Sequence, residues 1–130
     1  MRIADLNWRK VVSAWGPMVL CMVAIYWLSA QSSLPRDPIL GDADKLHNTF
    51  AYIALAWAAL RGARTAPLFR WNPYYQSFVL AALFGASDEY HQSFVPGRQM
   101  DIMDWLADLA GILVALALSW LYYQRTKGGR

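Results

Sequence analysis

Between Val11 and Pro35 the chain carries no charged residue, and Val11 to Ala30 alone is an apolar stretch of helix-forming length. About 20 such residues are what a helix needs to cross roughly 30 Å of hydrocarbon. This stretch therefore folds as a membrane span or as the centre of a large core. The chain is 130 residues long, 57% apolar and 16% charged, against about 45–50% and about 25% for ordinary globular domains. Those proportions exclude disorder, a collagen-like repeat and a charge-rich coiled coil. The single cysteine, Cys21, lies inside the apolar run, so neither an internal disulfide nor a CxxC metal or redox motif is available.

Three further uncharged runs follow, Leu46 to Leu60, Trp71 to Ser87 and Leu109 to Gln124. Each reaches spanning length only by taking in polar residues at one end: Lys45 and His47, then Asp88 to His91, then Asp104 and Asp108. Polar groups at membrane depth are costly and face a bundle interior or a watery cavity, which marks them as functional. The expectation is an all-α integral membrane four-helix bundle, one domain over residues 1–130 with helices at about 11–30, 45–62, 74–92 and 102–123. A secretory signal peptide does not fit, because the first apolar region exceeds the usual 7–15 residues and no small-x-small site follows it cleanly. The first helix is expected to stay attached.

Lys and Arg collect in cytoplasmic loops, which gives the bundle an orientation. Arg2, Arg9 and Lys10, then Arg61, Arg64 and Arg70, then Arg125, Lys127 and Arg130 share one side, leaving only Arg36, Lys45 and Arg98 on the other. Both termini are therefore expected in the cytoplasm. Of the acids, only Asp5 joins the inner group; Asp37, Asp42, Asp44, Asp88, Glu89, Asp101, Asp104 and Asp108 belong to the outer side. The net charge of +3 conceals an inner surplus of about +8 and an outer one of about −5 on the positive-inside assignment. The basic residues form no patch on a soluble surface, so a nucleic-acid partner is not expected. A soluble four-helix bundle would leave the nine-to-three partition of cations unexplained. Trp8, Trp71, Tyr74, Tyr75, Trp120, Tyr122 and Tyr123 fit the inner interface, and Tyr26, Trp27, Tyr90 and Trp105 the outer one.

Three polar segments meet on the outer side: Asp44-Lys45-Leu46-His47, Ser87 to Gln92, and Arg98 with Asp101, Asp104 and Asp108. Spacings of three and four residues set Asp44 with His47, Asp88 with His91, and Asp101, Asp104 and Asp108 on single helix faces, the last continued by Gly111. Asp42, Asp44 and Asp101 stand where N-caps belong, so capping and direct chemistry are both open for them. Asp88 and Glu89 sit near a helix C-terminus, whose dipole disfavours carboxylates, and capping does not account for them. His47 and His91 each follow an acid by three residues, a spacing suited to proton transfer. No HExxH or Cys/His pattern is present and no metal is expected; no cofactor is assigned. Val95-Pro96-Gly97-Arg98 reads as a tight turn presenting a guanidinium at the pocket mouth, either for an anion or for a neighbouring acid. Tyr52 lies on the second helix below His47, to hydrogen-bond into the pocket or to pack.

At these residues the sequence resembles the VanZ-like family of small bacterial membrane proteins. The resemblance rests on Asp44-Lys45-Leu46-His47 followed by Tyr52, and above all on Ser87-Asp88-Glu89-Tyr90-His91-Gln92-Ser93-Phe94-Val95-Pro96-Gly97-Arg98, followed by Asp101, Asp104 and Gly111. Leu28-Ser29-Ala30-Gln31-Ser32 also fits, so the likeness runs from about Tyr26 to Leu118. Asp108 departs from it, standing where asparagine is the expected family residue. The resemblance implies a multi-pass inner-membrane protein, and the family's founding members are linked to teicoplanin resistance within glycopeptide-resistance clusters.

Three functions compete. The first is an enzyme acting on a lipid-linked envelope glycan or phosphoester, with Asp88 or Glu89 as general acid or base and His91 and His47 as proton carriers. In that scheme Lys45 and Arg98 stabilise charge, and Asp44, Gln92, Asp104, Asp108 and Tyr52 complete the substrate site. No Ser/His/Asp arrangement is recognisable, so the reaction type stays open. The second is a non-catalytic accessory that binds a cell-wall precursor or positions another membrane protein. The third, a small proton-coupled transporter, is disfavoured because no polar path continues past Trp57 or Leu113 to Leu118.

Overall fold

The computed structural model describes residues 7–31 and 43–128, with residues 43–47 and 128 described as backbone alone. Four helices account for nearly all of them: α1 (Trp8–Ser29), α2 (Ala43–Thr65), α3 (Pro73–Gln92) and α4 (Ile102–Gly128). Among the described residues there is no strand. The all-helical, four-element expectation is met, and the helices extend somewhat beyond several of the expected bounds.

Local chemistry sets the helix ends. Asn7 caps α1, its side chain accepting from the Lys10 amide at 3.3 Å. Asn72 caps α3 by accepting from the Tyr74 amide at 2.9 Å, and Pro73 occupies the first helical position, where a missing N–H is harmless. Asp101 accepts from the Met103 amide at 2.8 Å and so caps α4. Capping, one of the two roles left open for Asp101, is thus seen in its side-chain contacts.

Pro17 lies inside α1 and has no N–H to give to the carbonyl of Ser13, one turn earlier. Arg61 of α2 compensates: its guanidinium donates to the Ser13 carbonyl and, at 3.2 Å, to that of Ala14. The same face brings Gly62 against the ring of Trp15, whose indole N–H reaches the Ala66 carbonyl at 2.8 Å. Here only a glycine admits the aromatic ring, because a Cβ would stand 2.6 Å from it. Trp57 ties α2 to α4 through the Ala115 carbonyl at 3.2 Å, and Trp105 ties α4 to α3 through that of Ala82, also at 3.2 Å.

Helices α2 and α3 pack on each other and on both remaining helices, whereas α1 and α4 do not pack together. The cross-section is thus a lozenge with α2 and α3 on the short diagonal. The core between the helices is built of Tyr52, Leu55, Ala56, Ala59, Ile112 and Ala115, all fully buried. Among the described residues, the outlying helices α1 and α4 are the two long and apolar enough to cross a membrane by length and composition, with mean hydropathy of 1.8 in each. Only 22% and 28% of their apolar windows are buried. Their bare faces include Leu20 at 71%, Val23 at 61% and Val114 at 53% exposure. A core helix of a soluble bundle would hide such a face.

Candidate functional site

The C-terminal ends of α1 and α3 and the N-terminal ends of α2 and α4 meet at one end of the bundle around a cavity of about 550 Å³. That volume lies within the roughly 300–1,000 Å³ of small-ligand pockets. Ser29 and Gln31 enter from the end of α1, Asn48 from α2, Glu89 and Gln92 from α3, and Asp104 and Asp108 from α4. Arg98 enters from the loop between α3 and α4. Among the described residues Arg98 is the one cation in the lining.

Asp88 lies behind this wall, 1% exposed, and organises it. Its Oδ2 accepts three hydrogen bonds, from Ser29 at 2.7 Å, Gln92 at 3.2 Å and Tyr52 at 3.3 Å. Three helices are thereby joined through one oxygen. Its Oδ1 is buried without a hydrogen-bond partner. Gln92 is one turn beyond Asp88 on the same helix, whereas Ser29 from the end of α1 and the fully buried Tyr52 from the middle of α2 reach it across the bundle. Tyr52 therefore bonds to the carboxylate supporting the pocket wall.

Glu89 follows on α3 and lines the cavity. One of its oxygens accepts from the Asp101 amide at 3.1 Å, fastening α3 to the start of α4. On α4, Asp108 is buried and receives the Asn48 amide on both oxygens, at 3.4 and 3.3 Å. Asp108 lies within electrostatic range of Glu89, Asp88 and Asp104, and Glu89 within range of Asp104 and Asp88. Like charges at such range raise the energy of the fully ionised cluster, and hydrogen-bond donors such as Asn48 offset part of that cost.

Arg98 is presented by a turn whose sequence dictates its shape. Pro96 and Gly97 fill the central positions, Gly97 has φ 81°, and the Arg98 amide donates back to the Val95 carbonyl at 3.0 Å. Proline second and a positive-φ glycine third make a type II turn. The guanidinium then donates through Nε to the Gln31 carbonyl at 3.1 Å and through Nη1 to the Gln92 side chain at 3.3 Å. A continuous chain runs from the end of α1 through Arg98 and Gln92 to Asp88.

Of the expected site residues, Asp88, Glu89, Gln92, Arg98, Asp104, Asp108 and Tyr52 converge on this end of the bundle. His91 turns elsewhere: its ring stacks on Tyr26 with centroids 4.0 Å apart, and its Nδ1 is buried without a partner. The side chains of Asp44, Lys45 and His47 lie outside the described residues, as do Arg36, Asp37 and Asp42 altogether. Gly111 serves packing, since a Cβ there would meet Thr49 at 3.0 Å. Sequence reasoning passed over Asn48, although it precedes Tyr52 by one turn, and gave Ser29 no role. Among the described residues no group of three or more His, Cys, Asp or Glu side chains is disposed to hold a metal ion.

No curated protein and no solved structure matches the chain. The VanZ/LLP1 family profile matches it over residues 13–123, which takes in α2 and α3 whole, most of α1 and α4, and every lining residue of the acidic cavity. The four-helix scaffold and its polar end are therefore those of a VanZ/LLP1 protein, and the chain belongs to that family.

Proposed function

We propose that the chain is a multi-pass protein of the bacterial inner membrane, with both termini cytoplasmic, whose polar pocket faces outward and engages the headgroup of a lipid-linked envelope component. The observation that carries this reading is the cavity itself: acids from α3 and α4 and one guanidinium, gathered at a single end of a bundle whose flanks are bare hydrocarbon. The outward orientation is supported by the partition of Lys and Arg to the opposite end. Insertion is supported by the apolar α1 and α4, and by α3 burying Gln76, Ser77, Asp88, Glu89 and Gln92 within the bundle.

Within the pocket Glu89 is the group best disposed for proton transfer, since it lines the cavity while Asp88 is enclosed behind the wall. Arg98 keeps further donors beyond its two bonds, enough to hold a phosphate or carboxylate oxygen. A non-catalytic precursor-binding role is favoured by one specific observation: Asp88, Gln92 and Arg98 are already bonded to one another and to α1, as in a rigid binding frame. Transport is disfavoured by the buried apolar layer of Leu55, Ala59, Ile112 and Ala115 beneath the pocket.

Native mass spectrometry of the protein extracted in mild detergent tests the assignment. A retained envelope lipid in the wild type that is lost in Arg98→Gln supports it. Wild-type protein that is bare of envelope lipid, even when lipid-linked precursor is added, overturns it. Turnover of the added precursor that disappears in Glu89→Gln separates the enzyme from the binding protein. Reporter fusions at each terminus check the orientation, and periplasmic termini would reverse it.

A further inference from the structure

At the end of the bundle opposite the acidic pocket, a second cavity of about 390 Å³ lies between the start of α3 and the middle of α4. Its walls are Tyr74 and Phe78 on one side and Leu113, Leu116, Ala117 and Trp120 on the other. It has none of the carboxylates of the first site. Where Tyr74 closes its polar end, the Arg64 guanidinium of α2 is held in place by two rings. It lies 4.9 Å from the centroid of Tyr74 and 5.1 Å from that of Tyr123, and donates to the Tyr74 hydroxyl. Lys127 also stands over the ring of Tyr123, at 4.9 Å from its centroid.

An apolar groove with a guanidinium held against Tyr74, one of its lining rings, and a second cation on the ring of Tyr123, which that guanidinium also faces, matches one kind of molecule: an anionic headgroup joined to a hydrocarbon chain. We infer that this groove is a binding site for an anionic diacyl phospholipid, its phosphate against Arg64 and Lys127 and an acyl chain along Phe78, Leu113 and Leu116. Arg64 is exposed yet pinned by packing rather than by an acid, so its charge is available without the entropy loss of ordering a free side chain. Basic pockets between membrane helices bind anionic headgroups in this way, each cation near the surface contributing about 1 kcal/mol. The occupant's being a lipid rests on membrane insertion, whichever leaflet this end faces. It does not depend on what the acidic pocket binds.

Binding is measured by native mass spectrometry of the full chain titrated with phosphatidylglycerol or phosphatidylcholine of identical acyl chains. The wild type is expected to prefer phosphatidylglycerol, and Arg64→Gln to lose about fivefold of that preference. Ala117→Trp, which fills the groove, is expected to weaken both lipids while leaving the chain folded. Arg9→Gln removes an exposed cation of α1 that lies over Trp8 and touches no groove residue, and is expected to keep the preference. Equal affinity for the two lipids in the wild type overturns the site, as does an unchanged preference in Arg64→Gln or an unchanged affinity for both lipids in Ala117→Trp. A dimer that Ala117→Trp dissociates overturns it too, by giving the groove to a second copy. A chain that fractionates with membranes yet fails these tests loses the lipid site alone, whereas a chain found free of membranes loses both.

Discussion

Removing the Asp88 carboxylate is the sharpest test of how the polar end of the bundle is held. Asp88→Ala deprives Ser29, Gln92 and Tyr52 of a shared acceptor in a region where all three are buried. A buried donor left unpaired costs about 1–3 kcal/mol, so three independent losses would approach about 3–9 kcal/mol. They are not independent. Gln92 already lies 3.5 Å from the Ser29 hydroxyl, and those two groups can satisfy each other once the carboxylate is gone. Tyr52, fully buried, has no comparable second acceptor among its described contacts. The expected loss is therefore about 2–4 kcal/mol, one stranded hydroxyl plus a small cavity. Asp88→Asn keeps an oxygen for the donors and can put its NH₂ where Oδ1 now has no partner. It also removes the cost of burying a charge, so its expected change is within about 1 kcal/mol of wild type. Unfolding in mixed micelles, followed by far-UV circular dichroism against added SDS, measures both variants. An alanine variant as stable as wild type, or an asparagine variant as damaged as the alanine one, would refute the role of Asp88 as a shared acceptor.

Gly62→Ala is expected to destabilise the bundle by about 1–3 kcal/mol, because its Cβ would lie 2.6–2.9 Å from the rigid ring of Trp15. Gly16→Ala has nothing within 4 Å and is expected to be neutral or to stabilise α1 by up to about 1 kcal/mol, through helix propensity; the same unfolding assay ranks the two. Gly97→Ala forces a β-carbon into the positive-φ position of the turn and is expected to cost about 1–2 kcal/mol. That substitution also shifts Arg98, so lipid retention at the acidic pocket is expected to fall with it. Arg61→Gln leaves the Ser13 and Ala14 carbonyls without their guanidinium donor beside Pro17, an expected loss of about 1–3 kcal/mol.

How far the sequence foretold this arrangement depends on what kind of information each residue's position needs. Apolar run lengths are local, and they located all four helices. The cost of placing charge beside hydrocarbon is nearly local too, which is why Asp88, Glu89, Asp104 and Asp108 stood out as a cluster before any geometry was known. Val95-Pro96-Gly97-Arg98 was equally legible, because proline and glycine fix the turn by their own dihedral limits. Partner choice is where local reasoning ends. The three-residue spacing of Asp88 and His91 puts both near one face of α3, yet the donors to Asp88 come from Ser29 on α1, Tyr52 on α2 and Gln92 one turn away. His91 turns to Tyr26 instead. What decides between the two is the azimuth of α1 against α3, a tertiary quantity that no spacing along α3 encodes. Asn48 was missed for the opposite reason: a single neutral amide in an apolar run carries little cost on its own, and only the arrival of Asp108 from α4 gives it a function. The polar residues legible in advance are thus those that are expensive alone, whereas the ones that make the site specific are inexpensive residues recruited by their neighbours. Asn48→Leu discriminates between these classes. If Asn48 were a mere spectator its replacement would be silent, whereas the hydrogen bonds to Asp108 require that it leave a buried carboxylate uncompensated, an expected loss of about 1–3 kcal/mol in the unfolding assay that Asp108→Asn in the same chain restores in part.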